Sequence, residues 1–331
     1  MFRALIAIFA ALHFALWAVP VAAQTRWSMA TEYPATSISG EGLRTFSELV
    51  AAKSGGALTV LLTFDAASGI TSGQMIQAVE QGRITAGDAF AGPLEPVNPI
   101  FGLSSLPFLT RSISDAKRLA ELARPQYEKV LAQHDLHLLY VTLWPTTGLW
   151  SKQPVRTPAD FRTLSIRAYD YNSAQVMRSA GAEAAYMPFG EAITKLRAGT
   201  LNAVLSSGDG GAGRRLWEVL PHFTEIQYAM PLSIAFVSEA AYAALPDELR
   251  RLVDQAAAET EEKQWLAIPP RLEENYARMR ANNVVISSDL DPELRATLRD
   301  AAQETIRAWL SKAGPAGRTI LTEFLETQPH P

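Results

Sequence analysis

Short apolar runs alternate with amphipathic stretches along most of the chain. Residues 26–31, with Trp27, Met29 and Ala30, read as a first strand, and 57–64, rich in Leu, Val and Thr, as a second. Between them Leu43, Phe46 and Val50 recur at helical spacing over 41–53. A polar turn, Ser37-Ile38-Ser39-Gly40, precedes that helix and Ser54-Gly55-Gly56 stops it. A helix over 72–81, a strand over 84–90 and an apolar segment over 103–109 follow. Ser112 and Asp115 then open a long helix to 133, and 136–143 reads as a buried strand.

A second run begins after Trp144-Pro145. It holds a strand ending at Ala168, helices over 173–180 and 189–198, a strand over 201–206 and a short helix over 214–220. Residues 226–237 are extended and mostly apolar, suited to return to the first sheet. Residues 247–282 are helical in pattern but contain Pro269-Pro270, which predicts one long helix with a sharp kink. A last helix covers 292–310. Strands alternating with helices predict βαβ units on parallel sheets. The whole reads as two α/β lobes between which the chain crosses more than once, with a cleft at the junction where ligand sites concentrate.

One strand carries an odd residue. Leu164, Ile166 and Ala168 alternate with Ser165 and Arg167, the period of a half-buried strand, so a charged Arg ends an apolar element just before Tyr169-Asp170-Tyr171. A buried Arg needs a partner, and its planar fork suits a carboxylate. By itself the pattern fits a structural ion pair as well as a ligand contact. Tyr33, Phe90, Trp144, Trp150, Tyr169, Tyr171 and Phe189 fall near expected strand ends or the lobe crossing, as an aromatic-lined cleft requires.

Composition narrows the class. The chain has 331 residues, 48% hydrophobic and 19% charged, with net charge -4, which gives no reason to expect nucleic acid as a partner. There is no cysteine, so disulfides, Cys-ligated zinc and thiol catalysis are excluded. Arg3, the apolar run from Leu5 to Val19, Pro20 and Val21-Ala22-Ala23 have the layout of a secretory signal peptide over 1–23. No later stretch is apolar enough to span a bilayer. The expectation is a periplasmic protein whose mature chain does not insert into the membrane.

The order of several short motifs resembles a family. Ser47-Glu48-Leu49-Val50-Ala51-Ala52-Lys53-Ser54-Gly55-Gly56 comes first, then Leu106-Pro107-Phe108-Leu109 and Pro158-Ala159-Asp160-Phe161-Arg162 leading to Ile166-Arg167. Gly181-Ala182-Glu183 leading to Met187-Pro188-Phe189-Gly190-Glu191 closes the series. In this order the chain resembles the solute-binding subunits of tripartite ATP-independent periplasmic (TRAP) transporters, the DctP-like family. The resemblance implies a two-lobed periplasmic binding protein fold with a long kinked helix bracing both lobes. It implies no enzyme activity and no cofactor. The partners implied are an organic acid, captured by hinge closure, and the membrane permease subunits that receive it. Arg167 occupies the family's carboxylate-anchor position. Two departures stand out: Ser206 replaces a commonly found Asn, and Thr147 stands where some members carry a second Arg.

The expected ligand-binding set is therefore Arg167, Ser206, Phe189, Thr147, Trp144, Phe90, Tyr33 and Asp209. With one anion anchor, the expected ligand is a monocarboxylate with a bulky or aromatic body. A zwitterionic solute using Asp209 for its cation is the alternative. The expected lobes are 24–143 with 231–270, and 144–230 with 271–331. Gly208-Asp209-Gly210-Gly211-Ala212-Gly213 fits G-x-G-x-x-G, but Ser233 stands where a dinucleotide site needs an acid. A Gly-rich turn, a ligand-lining loop and a secreted α/β enzyme using this loop all stay open, as does a ligand-sensing ectodomain partner. His134, His137 and His222 lack metal-ligand spacing, and no Ser has a base set around it.

Overall fold

The computed structural model describes residues 24–326; the expected signal peptide lies outside the described residues. The first half of the chain forms β1 (Thr25–Thr31), α1 (Ile38–Lys53), β2 (Leu58–Thr63), α2 (Met75–Glu80), β3 (Ala86–Phe90), α3 (Ile113–Ala132) and β4 (Leu136–Leu143). The chain continues through β5 (Thr147–Ser151), α4 (Pro158–Arg162), β6 (Ser165–Ala168), α5 (Tyr171–Ser179), β7 (Glu183–Tyr186), α6 (Phe189–Arg197), β8 (Ala203–Ser207), α7 (Gly208–Gly213) and β9 (His222–Thr224). After these come β10 (Leu232–Ser238), α8 (Glu239–Ala243), α9 (Asp247–Ala281), β11 (Val285–Ser287), α10 (Pro292–Lys312) and α11 (Gly314–Glu326).

Two sheets result, in strand order β2-β1-β3-β10-β4 and β11-β9-β5-β8-β6-β7. This is the expected two-lobed α/β class, but neither sheet is all-parallel. β10 runs antiparallel to β3 and β4, and β5 antiparallel to β8 and β9. The cause is the crossing. β4 leaves the first sheet at the end that faces the second, so a strand returning from there enters at that end and runs the other way. Leu232, the first residue of β10, accordingly pairs with Leu143, the last of β4.

The two crossing segments hydrogen-bond to each other. Trp144 N–H donates to Pro231 O at 2.8 Å, Thr147 N–H to Ala229 O at 2.8 Å, and Tyr228 N–H to Thr147 O at 3.0 Å. The apolar core runs across this ribbon, through Phe90, Trp144, Tyr169 and Tyr228.

Helix α9 packs on α1 and β4 of one half and on α7 of the other, so it braces both. It runs 35 residues without a break through Pro269 and Pro270. Both prolines are exposed, so the carbonyls that lose an N–H partner lie toward water, which can bond them. The Gly-rich run is neither turn nor loop but helix α7, started by Ser207, whose Oγ accepts from Gly210 N at 3.1 Å. Its glycines let it lie close: a Cβ on Gly211 would overlap the Trp150 indole. Helix α1 starts three residues earlier than its apolar pattern implies, because Ser37 caps it by accepting from Gly40 N.

Candidate functional site

Strand β6 places Arg167. Period-two alternation sends Ile166 into the core and Arg167 to the other face, between Ala185 on β7 and Val204 on β8. The strand ends where Asp170 caps α5 by accepting from Ser173 N at 2.7 Å. The residue is 3% exposed. Its Nε donates to Met187 O at 3.0 Å and its Nη1 to Leu205 O at 3.4 Å. The Phe189 ring centroid lies 4.7 Å from its Cζ, within cation–π range. Among the described residues no carboxylate pairs with it. Burial pulls its pKa down, against the pull of Tyr33 and Glu32, yet a guanidinium stays charged. A buried cation with an idle edge on a cavity has the charge and the free donors to take an anion.

That cavity sits at the junction of the two sheets. Tyr33, Phe90, Trp144, Thr147, Arg167, Phe189 and Ser206 line it together, as do Tyr169, Ser207, Gly210 and Pro231. Each comes from an element end: Tyr33 follows β1, Phe90 closes β3, Trp144 follows β4, Thr147 opens β5, Phe189 opens α6, and Ser206 lies near the end of β8. Water can reach only about 20 Å³ of its interior. The walls are packed aromatic pairs, Tyr33 on Trp144 with centroids 4.6 Å apart and Phe90 on Tyr169 at 5.1 Å. The Trp144 indole N–H is taken by Ser233 Oγ at 2.9 Å, so this ring offers the cavity only its apolar faces. Burial raises the pKa of Tyr33 and Tyr169, which keeps both phenols neutral.

Asp209 corrects the expectation made for it. It is 1% exposed and does not line the cavity. Its Oδ2 accepts from Ile38 N at 2.9 Å, and its Oδ1 from Asn275 Nδ2 at 3.1 Å and from Arg271 Nε. Arg271 also pairs with Glu41 at 2.7 Å. A carboxylate so engaged cannot serve a ligand ammonium, which removes the zwitterion reading. Trp150 and Tyr171 do not line the cavity either. Trp150 packs on Phe223 and donates to Ser207 O, and Tyr171 is 52% exposed.

Glu32 is a neighbour that the patterning did not single out. It is 4% exposed, its Oε2 accepts from Ser72 N at 2.8 Å and its Oε1 from Phe189 N at 3.1 Å. It thus positions the residue that stacks on Arg167. Arg214 reaches the same ring, 4.8 Å away, while its fork binds Glu32 O and Asp65. Ser207 was also unmarked, its only signal being the close Ser-Ser-Gly sequence after an apolar strand, whereas Gly210 lies in the Gly-rich run for which a ligand-lining role stayed open.

Comparison with known proteins bears on the same region. The family described as bacterial extracellular solute-binding protein, family 7 (DctP) matches residues 29–312. The 2,3-diketo-L-gulonate-binding periplasmic protein YiaO of Escherichia coli is 24% identical over 290 residues, 86% of each chain. DctP7 of Bordetella pertussis, an extracytoplasmic solute receptor binding pyroglutamic acid, superposes with TM-score 0.87 at 25% identity, over 91% of this chain and 99% of its own. A marine metagenome TRAP solute-binding protein specific for pyroglutamate gives 0.86 at 25% identity, over 92% and 99%.

Proposed function

The chain belongs to family 7 of the bacterial extracellular solute-binding proteins, the TRAP-type receptors, which are not enzymes, and we propose that it captures a compact cyclic monocarboxylate for a TRAP permease. The observation that carries this reading is Arg167, a buried guanidinium on an aromatic cavity with no carboxylate of its own. A ligand carboxylate completes it with two parallel charge-assisted bonds. Thr147, Ser206 and the neutral Tyr33 phenol supply hydroxyls for one further polar group, and the rings cover the ligand's apolar body.

Charge count argues for one carboxylate. Arg214 and Arg271 do not line the cavity, and both are bound to acids. A second ligand carboxylate would be buried unpaired, at a cost of several kcal/mol. A compact ring acid meets these demands with less apolar body than the bulky aromatic acid the wall residues alone imply. Pyroglutamate, which the two Bordetella and metagenome receptors bind, has this form.

On this reading the lobes are 24–143 with 231–270 and 144–230 with 271–331, residues 1–23 direct export to the periplasm, and closure of the lobes excludes water. No helix among the described residues is long and apolar enough to cross a membrane. A thermal-shift screen over pyroglutamate, phenylpyruvate, succinate, malate and amino acids tests the ligand class. Pyroglutamate or a similar ring acid should stabilise most; stabilisation by succinate or malate alone overturns it. Genes for two permease subunits beside its own would support the delivery step.

A further inference from the structure

We propose that the protein carries a second anion site, on the hinge side and separate from the Arg167 cavity, for a small molecule bearing two or more phosphate or carboxylate groups. A second cavity of about 530 Å³ lies where the crossing ribbon meets α10. Its wall includes Thr146 and Gln227 from the two crossing segments, Phe108 and Arg111 from the loop before α3, and Arg295 and Arg299 from α10. Thus it shares no residue with the Arg167 cavity.

Its charge is one-sided. Three arginines line it and no carboxylate does. Among the described residues, none of the three guanidinium groups has an acid within ion-pair distance. Asp115, the nearest acid in sequence to Arg111, accepts from that residue's backbone N at 2.9 Å and from no guanidinium. Arg295 and Arg299 are four residues apart, so they stand one above the other on one face of α10. Four residues before Arg295 stands Asp291, whose Oδ1 is used to cap α10 by accepting from Glu293 N at 2.7 Å. Like charges at this spacing repel, and among the described residues no ion pair offsets that. A multivalent oxyanion would, and arginine forks match phosphate and carboxylate oxygens in pairs.

A second, independent observation points the same way. Thr110, 6% exposed, lines this cavity, and its hydroxyl has no hydrogen-bond partner. Buried hydroxyls are normally satisfied, and this one is left without a partner at the cavity wall. The floor is stiff as well, because Phe108 N–H donates to Tyr228 O at 2.6 Å and ties the loop to the ribbon.

Calorimetric titration of pyrophosphate and of citrate, at low ionic strength where exposed charges are least screened, tests this. The cleft is first saturated with its own monocarboxylate. The wild type should bind one equivalent of at least one probe, and the two probes distinguish phosphoryl from carboxylate preference. Arg295→Ala with Arg299→Ala should weaken that binding about tenfold or more, as should Arg111→Ala, in line with charge-assisted pairing. Titrated without that monocarboxylate, Arg167→Ala should bind the probe as tightly as the wild type does with its cleft filled. All three arginines are exposed, so their loss should not disturb folding, which circular dichroism checks. No binding by the wild type, equal binding by the arginine variants, or loss on Arg167→Ala each overturns the proposal.

Discussion

Replacing Arg167 by Met separates what this residue does for binding from what it does for folding. In the protein alone Arg167 is 3% exposed and paired with no carboxylate among the described residues, so much of its desolvation is uncompensated. Its two hydrogen bonds, to Met187 O and Leu205 O, return about 1 kcal/mol each. Losing both while relieving the buried charge should leave stability without ligand within roughly 1–2 kcal/mol of wild type. With ligand the balance is different. The acid's carboxylate would then be buried with no partner, at a cost of about 3–5 kcal/mol, or roughly two to three and a half powers of ten in Kd.

Arg167→Lys keeps the charge but not the fork, so it should fall between, closer to Met than to wild type. Calorimetry with the best monocarboxylate from the screen, beside thermal melts of the ligand-free variants, gives both numbers. Affinity within tenfold of wild type in Arg167→Met would refute the anchor assignment. A ligand-free variant that fails to fold would refute the claim that the charge is uncompensated.

Three further outcomes are expected. A Cβ on Gly210 would lie 2.5 Å from Ser206 Oγ, so Gly210→Ala should keep the fold, since Ala favours helix, but lower affinity about tenfold by displacing that hydroxyl; an unchanged Kd by calorimetry would remove Ser206 from the site. Burial, then Asp170, pushes the Glu95 carboxyl up to about 7 against the pull of Lys312. Between pH 4.5 and 7 the folded chain thus holds a proton the unfolded chain releases, and stability falls as pH rises through that window. Glu95→Gln should flatten this slope in urea melts and be the more stable form above pH 7; an identical pH profile would contradict the assignment. Glu32→Gln and Asp209→Asn should each shift ligand-bound protein toward an open form, seen as a larger radius of gyration in solution scattering, while unaltered radii would show that neither carboxylate holds the halves together.

Much of the site was legible because it rests on local patterns. A charged residue in the alternation of β6, and aromatic residues at strand ends, are visible in one dimension; Ser206 and Thr147 entered only through the family resemblance, and seven of the eight named side chains meet in one cavity. Asp209 was not legible, because its partners are 66, 62 and 171 residues away. A glycine-rich run reads as a turn by propensity; that it is helical depends on Ser207 and on close packing against Trp150. Short strands such as β7, β9 and β11 have too few residues to show a period, and they exist because neighbours pair with them. Sheet direction was likewise hidden, since it depends on where the chain re-enters rather than on composition.

The residue that patterning missed, Glu32, and the one it misread, Asp209, are the same device used twice. Glu32 follows β1 of the first sheet and binds the N-terminal N–H of α6, which packs with the second. Asp209 belongs to α7, beside β8 of the second sheet, and binds the N-terminal N–H of α1, which packs with the first. Each half of the molecule thus places a buried carboxylate on the positive end of a helix in the other half, where the macrodipole favours negative charge. These two crossing bonds need the halves together, while Glu32 keeps Ser72 N and Asp209 keeps Arg271 and Asn275 as partners on its own side. Glu32 holds Phe189, and Phe189 stacks on Arg167, so the ligand's carboxylate and the closing contact share one ring. A ligand that pairs with Arg167 fixes that guanidinium under Phe189 and favours the arrangement in which Glu32 can reach α6. If the proposed acid binds and the cleft closes on it, affinity and closure are two readings of one coupling, as linkage requires.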